Sequence, residues 1–187
     1  LLPGVVTFSN LPASLKNPSN YNGSVCTLQQ KIDFFKGMGF CFVVVIDFSY
    51  EFSKMDGNKF LSILKDSLSM SFMAEGIDFR CGYKGSFDID KTAQFLTDNN
   101  IMLEKIAPVI IDEERISSSL IRSAILLGDF SKVGRFLGRP YSIDCTDIKW
   151  NKMHDGNIIC TDDTKFMQVL PKNGVYIVKA IVGDQTY

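Results

Sequence analysis

Residues 115–143 read RISSSLIRSAILLGDFSKVGRFLGRPYSI, from Arg115 to Ile143. Three serines, Ser117, Ser118 and Ser119, stand ahead of the apolar helical run 120–127, and Gly128 ends that run. A helix N-terminus carries free backbone N–H groups and the positive end of the helix dipole. Serine hydroxyls at that end can bond the same anion. Arg122 follows Ser118 and Ser119 by one turn, so its guanidinium can reach back over them. Arg115 approaches from the other side. Such an end suits a di- or triphosphate. Plain capping is the competing reading, and from these residues alone it suffices: a serine before an apolar run caps a helix without any ligand.

Upstream, apolar runs alternate with helical patterns. Residues 4–8 form a short β-branched strand pattern, and 10–24 a loop rich in Pro, Asn, Ser and Gly. Thr27 caps a helix to about residue 36, with Leu28, Ile32 and Phe35 on one face. Residues 40–46 are continuously apolar, as in a strand buried on both faces of a parallel sheet. A second amphipathic helix is expected over 56–67, with Phe60, Ile63 and Leu64 inward. A strand at 71–74, a glycine-rich loop at 75–86, a helix at 89–99 and strands at 101–106 and 108–111 follow. Strands and helices alternating at this spacing predict an α/β fold, a doubly wound parallel sheet.

After Pro140 the pattern changes. Strand candidates lie at 141–148, 157–160, 166–170 and 174–182, with turn signals at Asp155-Gly156 and Asn173-Gly174. The expected organisation is a nucleotide-binding domain over 1–139 and a small β-rich unit over 140–187.

Composition narrows the classes. Hydrophobic residues make up 45% and charged residues 22%, an ordinary globular balance. The net charge of -1 gives no electrostatic case for nucleic acid or an anionic membrane. Five cysteines without a CxxC pair argue against a disulfide framework or a zinc site, and fit a reducing, cytoplasmic setting. The longest apolar run, 40–46, is too short to span a bilayer. The chain opens Leu1-Leu2-Pro3-Gly4 and enters a strand pattern without an initiating Met, so residues are expected to precede Leu1.

Several motifs, in order, resemble one family. ISSSLIR is similar to the ISSTxIR motif of the bacterial bifunctional FAD synthetases (riboflavin kinase/FMN adenylyltransferase). Gly128-Asp129 with Leu137-Gly138-Arg139-Pro140-Tyr141-Ser142-Ile143 resembles the family's GD…LLGRPYSI junction. Val5-Val6-Thr7-Phe8 with Pro12 resembles VVTFxPHP, and Thr27-Leu28 with Lys31-Ile32 resembles TLxEKI. Gly76-Ile77-Asp78-Phe79-Arg80-Cys81-Gly82 resembles the GxDFRFG loop. The resemblance implies a Rossmann-like nucleotidyltransferase domain that joins the AMP of ATP to FMN, giving FAD and pyrophosphate. It implies ATP and FMN as small-molecule substrates, with Mg²⁺ accompanying ATP. Ser118, Ser119 and Arg122 would hold the ATP phosphates, with Ser117 and Arg115 beside them. Asp78, Phe79, Arg80 and Gly82 would lie at the nucleotide and flavin loop; as bare residues, Asp78 and Arg80 also read as a solvated surface pair.

Three departures stand out. The family's GxFDGxHxGH phosphate motif has no counterpart; since 4–8 matches the family's second strand, that motif is expected upstream of Leu1. The one histidine, His154, sits in a turn-like stretch and reads as an exposed side chain. Asn10-Leu11-Pro12 stands where the family has PHP, so Leu11 replaces a histidine expected near the flavin. In the tail, Leu170-Pro171-Lys172-Asn173-Gly174-Val175-Tyr176 resembles the kinase barrel's LPxDGVY hairpin, but no PTAN-like run follows Pro140, and riboflavin kinase activity is not expected. Two alternatives stay open: a nucleotidyltransferase acting on another mononucleotide, and a non-catalytic flavin or nucleotide binder. Oligomeric state is not legible.

Overall fold

A computed structural model describes residues 1–9, 21–155, 157–160 and 166–187. The Asn10-Leu11-Pro12 departure, most of the predicted 10–24 loop and Gly156 of the Asp155-Gly156 turn lie outside the described residues.

The first half is a run of parallel β-α-β units. Strand β1 (Gly4–Phe8) leads to helix α1 (Leu28–Gly37) and returns as β2 (Phe42–Ile46), which pairs parallel to β1 from Gly4↔Phe42 to Phe8↔Ile46. Helix α2 (Gly57–Leu68) leads to β3 (Phe72–Gly76). A small antiparallel ladder of β4 (Arg80–Cys81) and β5 (Phe87–Asp88) precedes helix α3 (Ile89–Asp98). Strand β6 (Met102–Ile106) then pairs parallel to β3, from Phe72↔Met102 to Gly76↔Ile106. Parallel pairing requires such crossovers, and the intervening helices supply them.

The helices start where their caps say they should. Thr27 and Gln30 form a reciprocal capping box on α1. The Asp56 carboxylate accepts from the Asn58 and Lys59 N–H groups of α2, and Asp88 accepts from Lys91 N–H of α3. One core, Phe60, Leu61, Leu64, Met73, Phe87, Leu96 and Ile101, underlies both strand pairs, with Val6, Ile46 and Leu103 packed on it. The inward stripe of α2 differs from expectation. Gly57, Phe60, Leu61 and Leu64 are buried at i, i+3, i+4 and i+7, whereas Ile63 is 43% exposed, because 100° per residue carries it off that stripe. The continuous apolar strand also differs: β2 begins at Phe42, and Phe42 and Val45 are partly exposed, so one face of it is incompletely covered.

A short hairpin, β7 (Ile110–Ile111) and β8 (Glu114–Arg115), delivers the chain to helix α4 (Ser118–Leu127). Gly128 ends α4 in the left-handed region, and Asp129 caps α5 (Phe130–Leu137) by accepting from Lys132 N–H. These two helices enclose a second core of Ile121, Ala124, Ile125, Val133, Phe136 and Val169.

The tail makes less sheet than its apolar runs suggest. Residues 141–148 form no strand. The Asp144 carboxylate instead accepts from the Thr146 N–H and hydroxyl, closing a turn that competes with extended pairing. Of 166–170 only Gln168 makes a bridge, to Ser24. Two-residue ladders remain, β9 (Asn151–Lys152) with β10 (Ile158–Ile159), and β11 (Ile181–Val182) with β12 (Gln185–Thr186). Among the described residues no helix is long and apolar enough to cross a membrane.

Candidate active site

The three serines take different positions at the start of α4. Ser117 is the N-cap, its hydroxyl oxygen accepting from Leu120 N–H at 3.2 Å. Capping occupies that one serine and leaves Ser118 and Ser119 exposed on the first turn. Half-buried Arg122 folds back as its spacing predicts: Nη2 donates to Ser119 Oγ at 3.3 Å. A guanidinium, two exposed hydroxyls and the helix N–H groups thus gather at one helix end, an arrangement that favours an anion.

Arg115 enters from β8. Its guanidinium is paired with the carboxylate of Asp78, so the glycine-rich loop and the serine helix meet across 37 residues of sequence. The hairpin that carries Arg115 is held against α5 by two more pairs, Lys132 with Glu114 at 2.6 Å and Arg135 with Asp112 at 2.7 Å. Each pair is at least partly exposed and adds little stability alone. Their effect is orientation, since Asp112 and Glu113 sit at positive φ in the hairpin tip.

The loop itself is a tight turn off β3. Phe79 N–H donates to Gly76 carbonyl oxygen at 2.9 Å, and Ile77 N–H donates to that of Ile106 at 3.1 Å. Asp78 and Arg80 are exposed, and Arg80 Nη1 donates to the Gly85 carbonyl at 3.2 Å. Phe79 packs against the first core. Gly82, at φ +75, lies over the start of α2; a Cβ there would come within 2.8 Å of the Gly57 nitrogen. Burial raises the Glu75 carboxyl above its usual range, with a backbone bond from Gly76 opposing and the Asp78 charge adding. Burial likewise pushes the Cys81 thiol up to about 11, helped by Asp56 and Glu75, so it remains a neutral thiol.

One neighbour of this site was not legible. Tyr21 is half-buried; burial raises its phenol above the usual range, and the Arg122 charge opposes the rise. Its stretch of Pro, Asn, Ser and Gly signals only a loop. His154 is exposed, away from any role the geometry suggests. Among the described residues no group of three or more His, Cys, Asp or Glu is arranged to hold a metal.

The profile of the FAD synthetase family matches residues 1–120. The chain is 28% identical over 182 residues to a bifunctional riboflavin kinase/FMN adenylyltransferase of Buchnera aphidicola subsp. Schizaphis graminum, covering 96% of this chain and 58% of that one. A protein of the same name from Listeria monocytogenes is 26% identical over 194 residues, covering 100% and 60%. The chain therefore spans less than two thirds of the length of these relatives. A solved structure titled a macrolide-efflux protein from Streptococcus pneumoniae superimposes with a TM-score of 0.78 at 21% identity, covering 99% of this chain and 68% of that one, a likeness of fold. With the match spanning the whole parallel β-α-β region and reaching the first turn of α4, the chain belongs to the FAD synthetase family.

Proposed function

We propose that the full-length protein transfers AMP from ATP to FMN, giving FAD and pyrophosphate. The observation that carries the reading is the pairing of Arg115 with Asp78, which joins the glycine-rich loop to the Ser117–Arg122 helix start. A phosphate oxygen of FMN attacks the α-phosphorus of ATP. A bond forms between them, the bond to the bridging oxygen breaks, and pyrophosphate leaves. Ser118, Ser119 and Arg122 bind and orient the ATP phosphates, with Ser117 as the cap that holds the turn open to them. Arg115 and Asp78 set the distance between this end and the flavin loop, where Phe79, Arg80 and Gly82 shape the turn. Among the described residues no group of three or more His, Cys, Asp or Glu is arranged to hold the Mg²⁺ expected with ATP. The wide cysteine spacing, without a CxxC pair, suits a cytosolic setting.

Residues 140–187 are proposed as a separate small unit without riboflavin kinase activity, because no PTAN-like run follows Pro140. Incubation of the purified protein with FMN, ATP and Mg²⁺, followed by chromatography, tests the main reading. FAD and pyrophosphate are expected in equal amounts, and Arg122→Ala should lower the rate by roughly tenfold or more, as loss of a charge-assisted phosphate contact does. Absence of FAD together with no thermal shift by FMN or MgATP would overturn it. Binding of both without turnover would support the non-catalytic alternative. Formation of FMN from riboflavin and ATP would overturn the assignment of the tail.

A further inference from the structure

Both arginines of the candidate site have a partner within the chain, and the partners differ in charge. Arg122 donates to the neutral Ser119 hydroxyl one turn away on its own helix. Arg115 donates to a carboxylate, that of Asp78, which the glycine-rich loop brings from 37 residues away. Arg115 stands two residues before the Ser117 cap, so its guanidinium serves the end of α4 where an anion is favoured.

Each backbone that carries the pair has anchors of its own. On the Arg115 side, β7 and β8 pair at Ile110↔Arg115 and Ile111↔Glu114, and Ile116 N–H donates to the Val109 carbonyl at 2.9 Å. Lys132 with Glu114 and Arg135 with Asp112 tie the same hairpin to α5. On the Asp78 side, the Phe79 and Ile77 N–H groups donate to the Gly76 and Ile106 carbonyls, and Phe79 packs on the first core. Between these fixed backbones the two side chains are 53% and 65% exposed. An exposed ion pair adds little stability, so either member can change partner at small cost. A carboxylate and a phosphate are alternative acceptors for one guanidinium, and a triphosphate brings more charge and more acceptor oxygens.

We propose that Asp78 is an exchangeable counter-ion for Arg115: the triphosphate displaces its carboxylate from the guanidinium, and Asp78 thereby sets how tightly the nucleotide is held. The inference rests on the reading of the α4 start and Arg115 as the ATP-phosphate site. The alternative role for the same pair, a brace in which Asp78 holds Arg115 ready for phosphate, predicts the opposite sign when the carboxylate is removed.

Calorimetric titration of MgATP into the full-length protein and its variants tests this, with adenosine as the phosphate-free control and thermal melts in parallel. Asp78→Asn is expected to bind MgATP roughly 2- to 5-fold more tightly than wild type, the scale of one exposed ion pair, and adenosine no differently. Asp78→Ser should give the same gain without an amide that could still accept from Arg115. Arg115→Ala is expected to weaken MgATP binding, and Asp78→Asn added to it to bring no gain, because the exchange needs the guanidinium. Both side chains are exposed, so the variants should melt close to wild type; a large drop would mean that the pair holds the fold, against the exchange. An equal gain with and without Arg115 would reduce the effect to plain charge repulsion and overturn the proposal. Unchanged or weaker MgATP binding in Asp78→Asn and Asp78→Ser would overturn it too, and each of these results leaves the phosphate reading intact. A wild-type protein that does not bind MgATP would remove that reading, and the exchange with it.

Discussion

Residues 1–139 and residues 140–187 contain similar apolar runs and treat them differently. In the first region Leu61, Leu96 and Ile125 are completely buried. In the second, Val175 and Ile177 are fully exposed, at 101% and 105% of reference. The difference is the second layer. Strands β1, β2, β3 and β6 have helices to pack on, whereas the tail strands are two residues long and, among the described residues, pair with each other alone. What fastens the tail is local: the buried Gln168 amide, the buried Val169 side chain and the edge contact of Tyr176 on Phe130, with centroids 5.3 Å apart at 89°. A hydrophobic run therefore states a capacity for burial, and only a facing element realises it.

The contrast can be broken most directly by truncation in each region. Leu96→Ala is expected to cost about 2–5 kcal/mol and Ile177→Ala under about 0.5 kcal/mol in urea unfolding. A comparable loss at both positions would mean that the tail is packed. Gln168→Ala should cost about 1–3 kcal/mol, because it strips partners from Asp144 N–H and from the carbonyls of Val25 and Ser142. Hydrogen exchange should then quicken at Ser24 and Val169 before it quickens in α2, and uniform quickening would contradict a local latch. Ser117→Ala should cost about 1 kcal/mol as the loss of the α4 cap, with Ser117→Asp restoring most of it by thermal melt.

The smallest expected effect is one of pH. Thr146, by its hydroxyl and then its N–H, holds the Asp144 carboxyl below the ordinary carboxylate range, with the Thr27 hydroxyl assisting. A carboxyl with a lowered folded value contributes stability above its unfolded value and loses it as pH falls through the folded one. Acidification below about pH 4 should therefore loosen the 141–146 turn and its contact with α1, leaving the neutral cores unaffected. Exchange rates followed from pH 6 to pH 3 would check this; Asp144→Asn should abolish the dependence in that turn.

Much of the first region was legible because its signals are local. Thr27 and Ser117 stand ahead of the apolar runs they cap, and in the structure Asp56 and Asp88 do the same for α2 and α3. The return of Arg122 over Ser119 follows from helical spacing alone. Ile63 was misplaced because a three-residue choice at the edge of an apolar stripe depends on what packs there. Tyr21 was missed for a different reason. The Arg122 charge that acts on its phenol lies 101 positions away, and nothing in a Pro- and Asn-rich loop marks it. In the tail, β-branched runs overstated sheet because strand propensity expresses burial against neighbours more than an intrinsic backbone preference.

By itself the sequence determined the alternation of strands and helices, the capped start of α4 and the ordered motifs that mark the family, since capping, periodicity and turn chemistry act over a few residues. Only the tertiary structure decided that Arg115 meets Asp78, that Leu61 rather than Ile63 faces the core, and that the tail joins the first region through Gln168. Those contacts link residues far apart in sequence, and the fold alone sets their geometry.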